Sequence, residues 1–106
     1  MLIRDKKQIV SIIVDIIKNY PIKRAAVFGS ITCDNFTDDS DVDILIQPSE
    51  VLGLNFITLL LDLEDKLNRP VDLLTYSQVF SEADKDIHWD FKNTVLEQER
   101  VIYEVN

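Results

Sequence analysis

One cysteine, two glycines and three prolines are all that this 106-residue chain carries of those types, and each scarcity excludes something. Cys33 has no second cysteine to pair with, which rules out an internal disulfide and fits a reducing compartment, the cytoplasm. With so little glycine and proline there is no linker, repeat or low-complexity segment. No apolar run approaches the ~20 residues needed to cross a bilayer. The start, Met1 to Lys7, lacks the basic, apolar and small-residue order of a secretory signal. One domain spanning residues 1–106, away from membranes, is therefore expected. Positive charge is scarce too: 11 Lys and Arg face 19 Asp and Glu, a net charge of −8. Such a surface repels a phosphate backbone, so direct nucleic-acid binding is not expected. A nucleotide is a different case, because a divalent metal can meet its charge locally.

What is present is periodic. Residues 5–19 place Ile9, Ile12, Ile13, Ile16 and Ile17 at helical spacing, and Pro21 stops that helix. Residues 24–28 form a short apolar run, a buried strand ending at Gly29. Residues 31–36 start as a short helix, and 34–40 are polar loop. Residues 41–46 alternate, with Val42, Ile44 and Ile46 on one face and Asp41, Asp43 and Leu45 on the other. Residues 51–68 are a second helix with the stripe Leu52, Phe56, Leu59, Leu60, Leu63 and Leu67. Residues 71–75 are a strand, 82–98 a helix aligning Ile87, Phe91 and Val95, and 101–103 a last short strand. This order predicts a small α/β sandwich.

Three features fall at strand ends. Gly29-Ser30 follows the first strand; after ten intervening residues come Asp41 and Asp43; Asp72 lies in the third strand. Residues two apart on a strand share a face, so Asp41 and Asp43 point the same way. Carboxylates held that close repel one another unless a cation sits between them, and a hard divalent ion with oxygen ligands, Mg²⁺, suits them. Asp72 adds a third carboxylate if its strand lies beside theirs, and three acids around two metals suit in-line nucleotidyl transfer. Gly29 permits close backbone approach, and N–H groups at a helix start with the Ser30 hydroxyl can bind phosphate. Taken singly, each of these residues is an ordinary turn or strand-entry residue; the spacing of the set is what is specific.

Gly-Ser, ten residues, then Asp-x-Asp resembles the signature of the polymerase-beta-like nucleotidyltransferase superfamily. Val27-Phe28-Gly29-Ser30, Ser40-Asp41-Val42-Asp43-Ile44-Leu45, Pro70-Val71-Asp72-Leu73-Leu74-Thr75 and the ending 96–104 look most like its minimal nucleotidyltransferase (MNT) subfamily. The resemblance implies the nucleotidyltransferase fold, an α/β (α+β) arrangement with a small mixed sheet flanked by helices. It implies Mg²⁺ held by Asp41, Asp43 and Asp72, with two ions expected, and ATP as substrate with its β- and γ-phosphates on Gly29 and Ser30. It also implies an antitoxin that moves AMP onto a tyrosine of a HEPN ribonuclease toxin, in a hetero-oligomer with it. One departure stands out. Many relatives carry an arginine shortly after Gly-Ser, where this chain has Ile31-Thr32-Cys33-Asp34, so weaker triphosphate affinity or a partner-supplied cation follows; Lys23 and Arg24 precede the motif.

Other readings carry less. Asp39, Asp41, Asp43 and Glu50 fall at calcium-loop positions, but Ile44 stands where that loop needs glycine. Cys33 reads as a small loop residue, His88 as a surface or interface residue, Phe91 as core and Trp89 as an exposed anchor for a partner. Two alternative functions remain: an antitoxin that masks its toxin by contact alone, and a transferase acting on a small molecule.

Overall fold

Isoleucines three and four apart near the start of the chain do what their spacing dictates. Helix α1 (Lys6–Ile17) turns Ile9, Ile13 and Ile17 fully into the interior, with Ile12 and Ile16 packed at its margin. Asp5 caps it, its carboxylate accepting the Lys7 N–H at 2.8 Å. The computed structural model describes residues 5–32, 36–37, 39–80 and 99–105. After α1 come β1 (Ile22–Phe28), a 3₁₀ turn (Gly29–Thr32), β2 (Val42–Pro48), α2 (Asn55–Leu67), β3 (Val71–Thr75), α3 (Tyr76–Phe80) and β4 (Arg100–Glu104).

The four strands form one sheet in the order β3-β2-β1-β4. Strand β1 runs antiparallel to both β2 and β4, while β2 and β3 are parallel. A parallel pair cannot be joined by a hairpin, and α2 supplies the crossover. Central strands bury both faces, which is why β1 reads Ala25-Ala26-Val27-Phe28 without a polar break. One face carries Ala25, Val27, Val42, Ile44 and Ile46 into a core with Ile9, Ile13 and Ile17 of α1 and Leu59, Leu63 and Leu67 of α2. The opposite face has a smaller cluster of Ala26, Phe28 and Leu45, with Leu74 and Tyr76 against it. This is the expected α/β architecture with a mixed sheet flanked by helices.

Several boundaries differ from the sequence expectation. Strand β1 begins at Ile22 rather than residue 24. Helix α2 begins at Asn55, not residue 51, because Gly53 adopts φ 55, a left-handed conformation that a helix interior does not accommodate. Val51 and Leu54 are consequently 93% and 83% exposed, although Leu52 still reaches the core. Asn68, at φ 54, ends α2 with its N–H on the Glu64 carbonyl. The short helical start expected at residues 31–36 is a 3₁₀ turn that begins two residues earlier. Helix α3 has no counterpart in the sequence expectation, yet its signal is a capping box. The Thr75 N–H donates to the Gln78 side chain at 2.9 Å, and the Gln78 N–H to Thr75 Oγ1 at 3.1 Å. The helix expected at 82–98, with Ile87, His88, Trp89, Phe91 and Val95, lies outside the described residues, as do Cys33 and Asp34. No helix among the described residues is long and apolar enough to cross a membrane.

Candidate active site

The chain reverses direction between β1 and β2, so the end of one strand lies beside the start of the next. Phe28, the last residue of β1, pairs with Asp43, the second of β2. On the other flank, parallel register sets Asp43 directly against Asp72 of β3. Gly29, Asp43 and Asp72 thus meet at one end of the sheet's strands. Alternation puts Asp43 with Leu45 on the face opposite α1 and α2. The single condition that the sequence left open, that the third strand should lie beside the second, is met.

Asp43 is the focus. Its carboxyl is half-buried, whereas Asp41 and Asp72 are exposed. Burial, then a hydrogen bond with the Asp72 carboxyl, then the negative charges of Asp72 and Asp41 lift its pKa from the ordinary 3.8 to about 7. Near neutral pH the Asp43–Asp72 pair therefore holds a proton that the isolated carboxyls would have lost. Gly29 is what makes room for this carboxyl. With φ 75 it sits in the left-handed region, and a Cβ built there would collide with Asp43 Oδ2 and lie 3.2 Å from Asp43 Cγ. From sequence, the glycine is expected to allow close approach by a ligand; the group that approaches it is Asp43.

Ser30 closes the other side of the turn. Its hydroxyl donates to the Asp41 carbonyl at 3.4 Å, and the Thr32 hydroxyl donates back to the Gly29 carbonyl at 2.7 Å. The Gly-Ser turn is thereby fastened to the backbone that carries the first acid. Among the described residues no three potential ligands are gathered as a metal cluster: Asp43 is turned to Asp72, with Asp41 near enough to act on it by charge.

The missing base is not replaced by Arg24. That guanidinium pairs with Glu99 at 3.2 Å and Glu104 at 3.8 Å and lies 5.2 Å from the centre of the Tyr76 ring. Tyr76 in turn donates to Glu99 at 3.3 Å, and burial with the Glu99 charge pushes its phenol up to about 12. Arg24 is committed to this network, well back along β1 from Gly29. A residue missed in the sequence is Arg69, buried just ahead of Asp72 and bonded to the loop that leads to Asp41. Only its place before Pro70-Val71-Asp72 marks it in the sequence, and nothing local shows what it reaches.

Residues 11–106 match the family described as polymerase beta, nucleotidyltransferase. Two proteins of Methanocaldococcus jannaschii, both provisionally assigned as protein adenylyltransferases, are similar in sequence. One is 35% identical over 68 residues, 63% of this chain and 73% of the relative; the other is 36% identical over 84 residues, 77% and 79%. Among solved structures, the fold is similar to a chain of the toxin–antitoxin MntA–HepT at TM-score 0.63 and 17% identity, covering 93% of this chain and 73% of that one. It is likewise similar to a chain of the tri-AMPylated Shewanella oneidensis HEPN toxin in complex with MNT antitoxin, at TM-score 0.66 and 15% identity, covering 95% and 74%. A toxin–antitoxin structure with AMP-PNP matches at TM-score 0.64 and 19% identity, covering 96% and 75%.

Proposed function

This chain belongs to the polymerase beta nucleotidyltransferase family, and on that premise we propose that it moves AMP from ATP onto a tyrosine hydroxyl of a HEPN-type ribonuclease toxin. The transfer makes it that toxin's antitoxin, working in a hetero-oligomer in the cytoplasm. The observation that carries the reading is Asp43, half-buried between the Gly29 turn and Asp72. Support for AMP and for the partner comes from relatives assigned as protein adenylyltransferases and from the AMPylated HEPN toxin held by a protein of this fold.

The donor set suits Mg²⁺: every candidate ligand is a carboxylate oxygen, and the parallel register sets Asp43 against Asp72, crowding two carboxyls where a cation is favoured. Asp41, Asp43 and Asp72 would hold it, with two ions expected. When bound, Mg²⁺ neutralises phosphate charge and orients the triphosphate. The remaining work belongs to the chain. The turn of Gly29 and Ser30 holds the β- and γ-phosphates. Asp72, exposed at the sheet edge, accepts the proton of the incoming tyrosine hydroxyl. The tyrosine oxygen bonds to the α-phosphorus as the bond to the bridging oxygen breaks, and pyrophosphate leaves with that oxygen.

Incubation with labelled ATP, Mg²⁺ and the product of the neighbouring gene tests this. Label on the partner is expected; no label, or equal label from the Asp41→Ala/Asp43→Ala variant, rejects it. The commitment of Arg24 to Glu99 favours a second reading, an antitoxin acting by contact alone. Full neutralisation of the toxin by the same double variant would select it.

A further inference from the structure

Arg69 is the one charged side chain in the buried set among the described residues, 7% exposed although it sits in a connection between α2 and β3. A guanidinium is costly to bury unless its donors are met. Its Nη1 donates to the carbonyls of Thr37 and Ser40, each at 3.1 Å, and it lies 4.8 Å from the centre of the Phe36 ring. Those carbonyls belong to the loop that delivers Asp41 and Asp43. Arg69 itself begins the segment that delivers Asp72, through Pro70 and Val71. The Pro70 carbonyl then accepts the Val42 N–H at 3.1 Å, where β2 and β3 begin to pair. One side chain thus ties the loop ahead of one acid-bearing strand to the start of the other.

We infer that Arg69 is a positioning residue: by clamping Thr37 and Ser40 it sets where Asp41 and Asp43 stand relative to Asp72. This rests on the transfer reading, which assigns those acids a divalent cation. A planar guanidinium that stacks on a ring while donating sideways to two carbonyls is not replaced by an ammonium, which presents a compact point charge. Lysine at this position keeps the charge and loses the fixed geometry.

The test uses the full chain with Mn²⁺ as the metal probe, titrated by electron paramagnetic resonance, beside label transfer from ATP to the HEPN partner. In folded Arg69→Lys the Mn²⁺ dissociation constant is expected to rise about tenfold, as for partners that orient metal ligands from behind. The kcat for label transfer should fall as well. A merely structural role lowers Tm and leaves the Mn²⁺ affinity and kcat of the folded protein unchanged, and that result overturns the inference. If Arg69→Lys does not fold, Phe36→Leu decides: it removes the stacking ring and must also weaken Mn²⁺ binding, and wild-type affinity there overturns the clamp. Wild-type protein that binds Mn²⁺ in an Arg69-dependent way but transfers no label rejects the transfer reading alone. Wild-type protein that binds no Mn²⁺ rejects both.

Discussion

Gly29→Ala and Gly53→Ala make a matched pair, because both glycines have positive φ, 75 and 55, and only their surroundings differ. Forcing an L-residue into the left-handed region costs about 1–2 kcal/mol at either site. At Gly53 nothing lies within 4 Å of the added Cβ, so that figure is the whole effect. At Gly29 the Cβ collides with Asp43 Oδ2, and the carboxyl must move away. Losing its hydrogen bond with Asp72 adds about 1 kcal/mol. Displacing a reacting group by ~1 Å costs on the order of a hundredfold in rate. Urea unfolding should therefore rank Gly29→Ala below Gly53→Ala by about 1 kcal/mol, a Tm difference of roughly 4–8 °C. Label transfer should fall about a hundredfold in Gly29→Ala and stay near wild type in Gly53→Ala. Equal activity in the two variants would show that the turn does not shape the Asp43 site, and the reasoning would fail.

Asp43→Asn should abolish transfer yet stabilise the chelated protein at pH 8, because it removes a charge that burial and Asp72 disfavour; about 1–2 kcal/mol remains after discounting for solvent access. A destabilised variant would contradict this. The pH dependence has a definite sign. Asp43 titrates higher folded than unfolded, so the folded state binds the extra proton and stability falls as pH rises from about 4 to about 7. The unfolding free energy of wild type minus that of the Asp43→Asn variant, measured in EDTA, should decline across that window, and a flat difference refutes the assignment. At pH 8, Mg²⁺ should raise the Tm of wild type and not that of Asp43→Asn. Leu63→Ala empties a fully buried position facing the sheet and should cost about 2–5 kcal/mol in urea titration.

Much of this was legible in one dimension. Periods of two and of three to four residues are local properties, so the stripes Ile9-Ile13-Ile17 and Leu59-Leu63-Leu67 and the alternation Val42-Ile44-Ile46 located the core in advance. Element ends were less legible. They depend on single backbone conformations, such as the left-handed Gly53 that starts α2 late and the Thr75–Gln78 capping box that opens α3.

Residue types and their spacing were enough to point to a site: three acids and a Gly-Ser turn, no base after that turn, and a net charge of −8. How those groups stand toward one another is settled in three dimensions. Asp43 meets Asp72 because β2 and β3 pair in parallel register, and it fits against Gly29 because β1 and β2 run antiparallel. Arg69 spans from one acid-bearing segment to the loop before the other. Strand pairing and a buried side chain's reach join residues far apart in the chain, and such contacts have no signature along it. The raised pKa of Asp43 follows from that convergence, since neither burial nor a neighbouring Asp72 carboxyl exists until the strands are assembled.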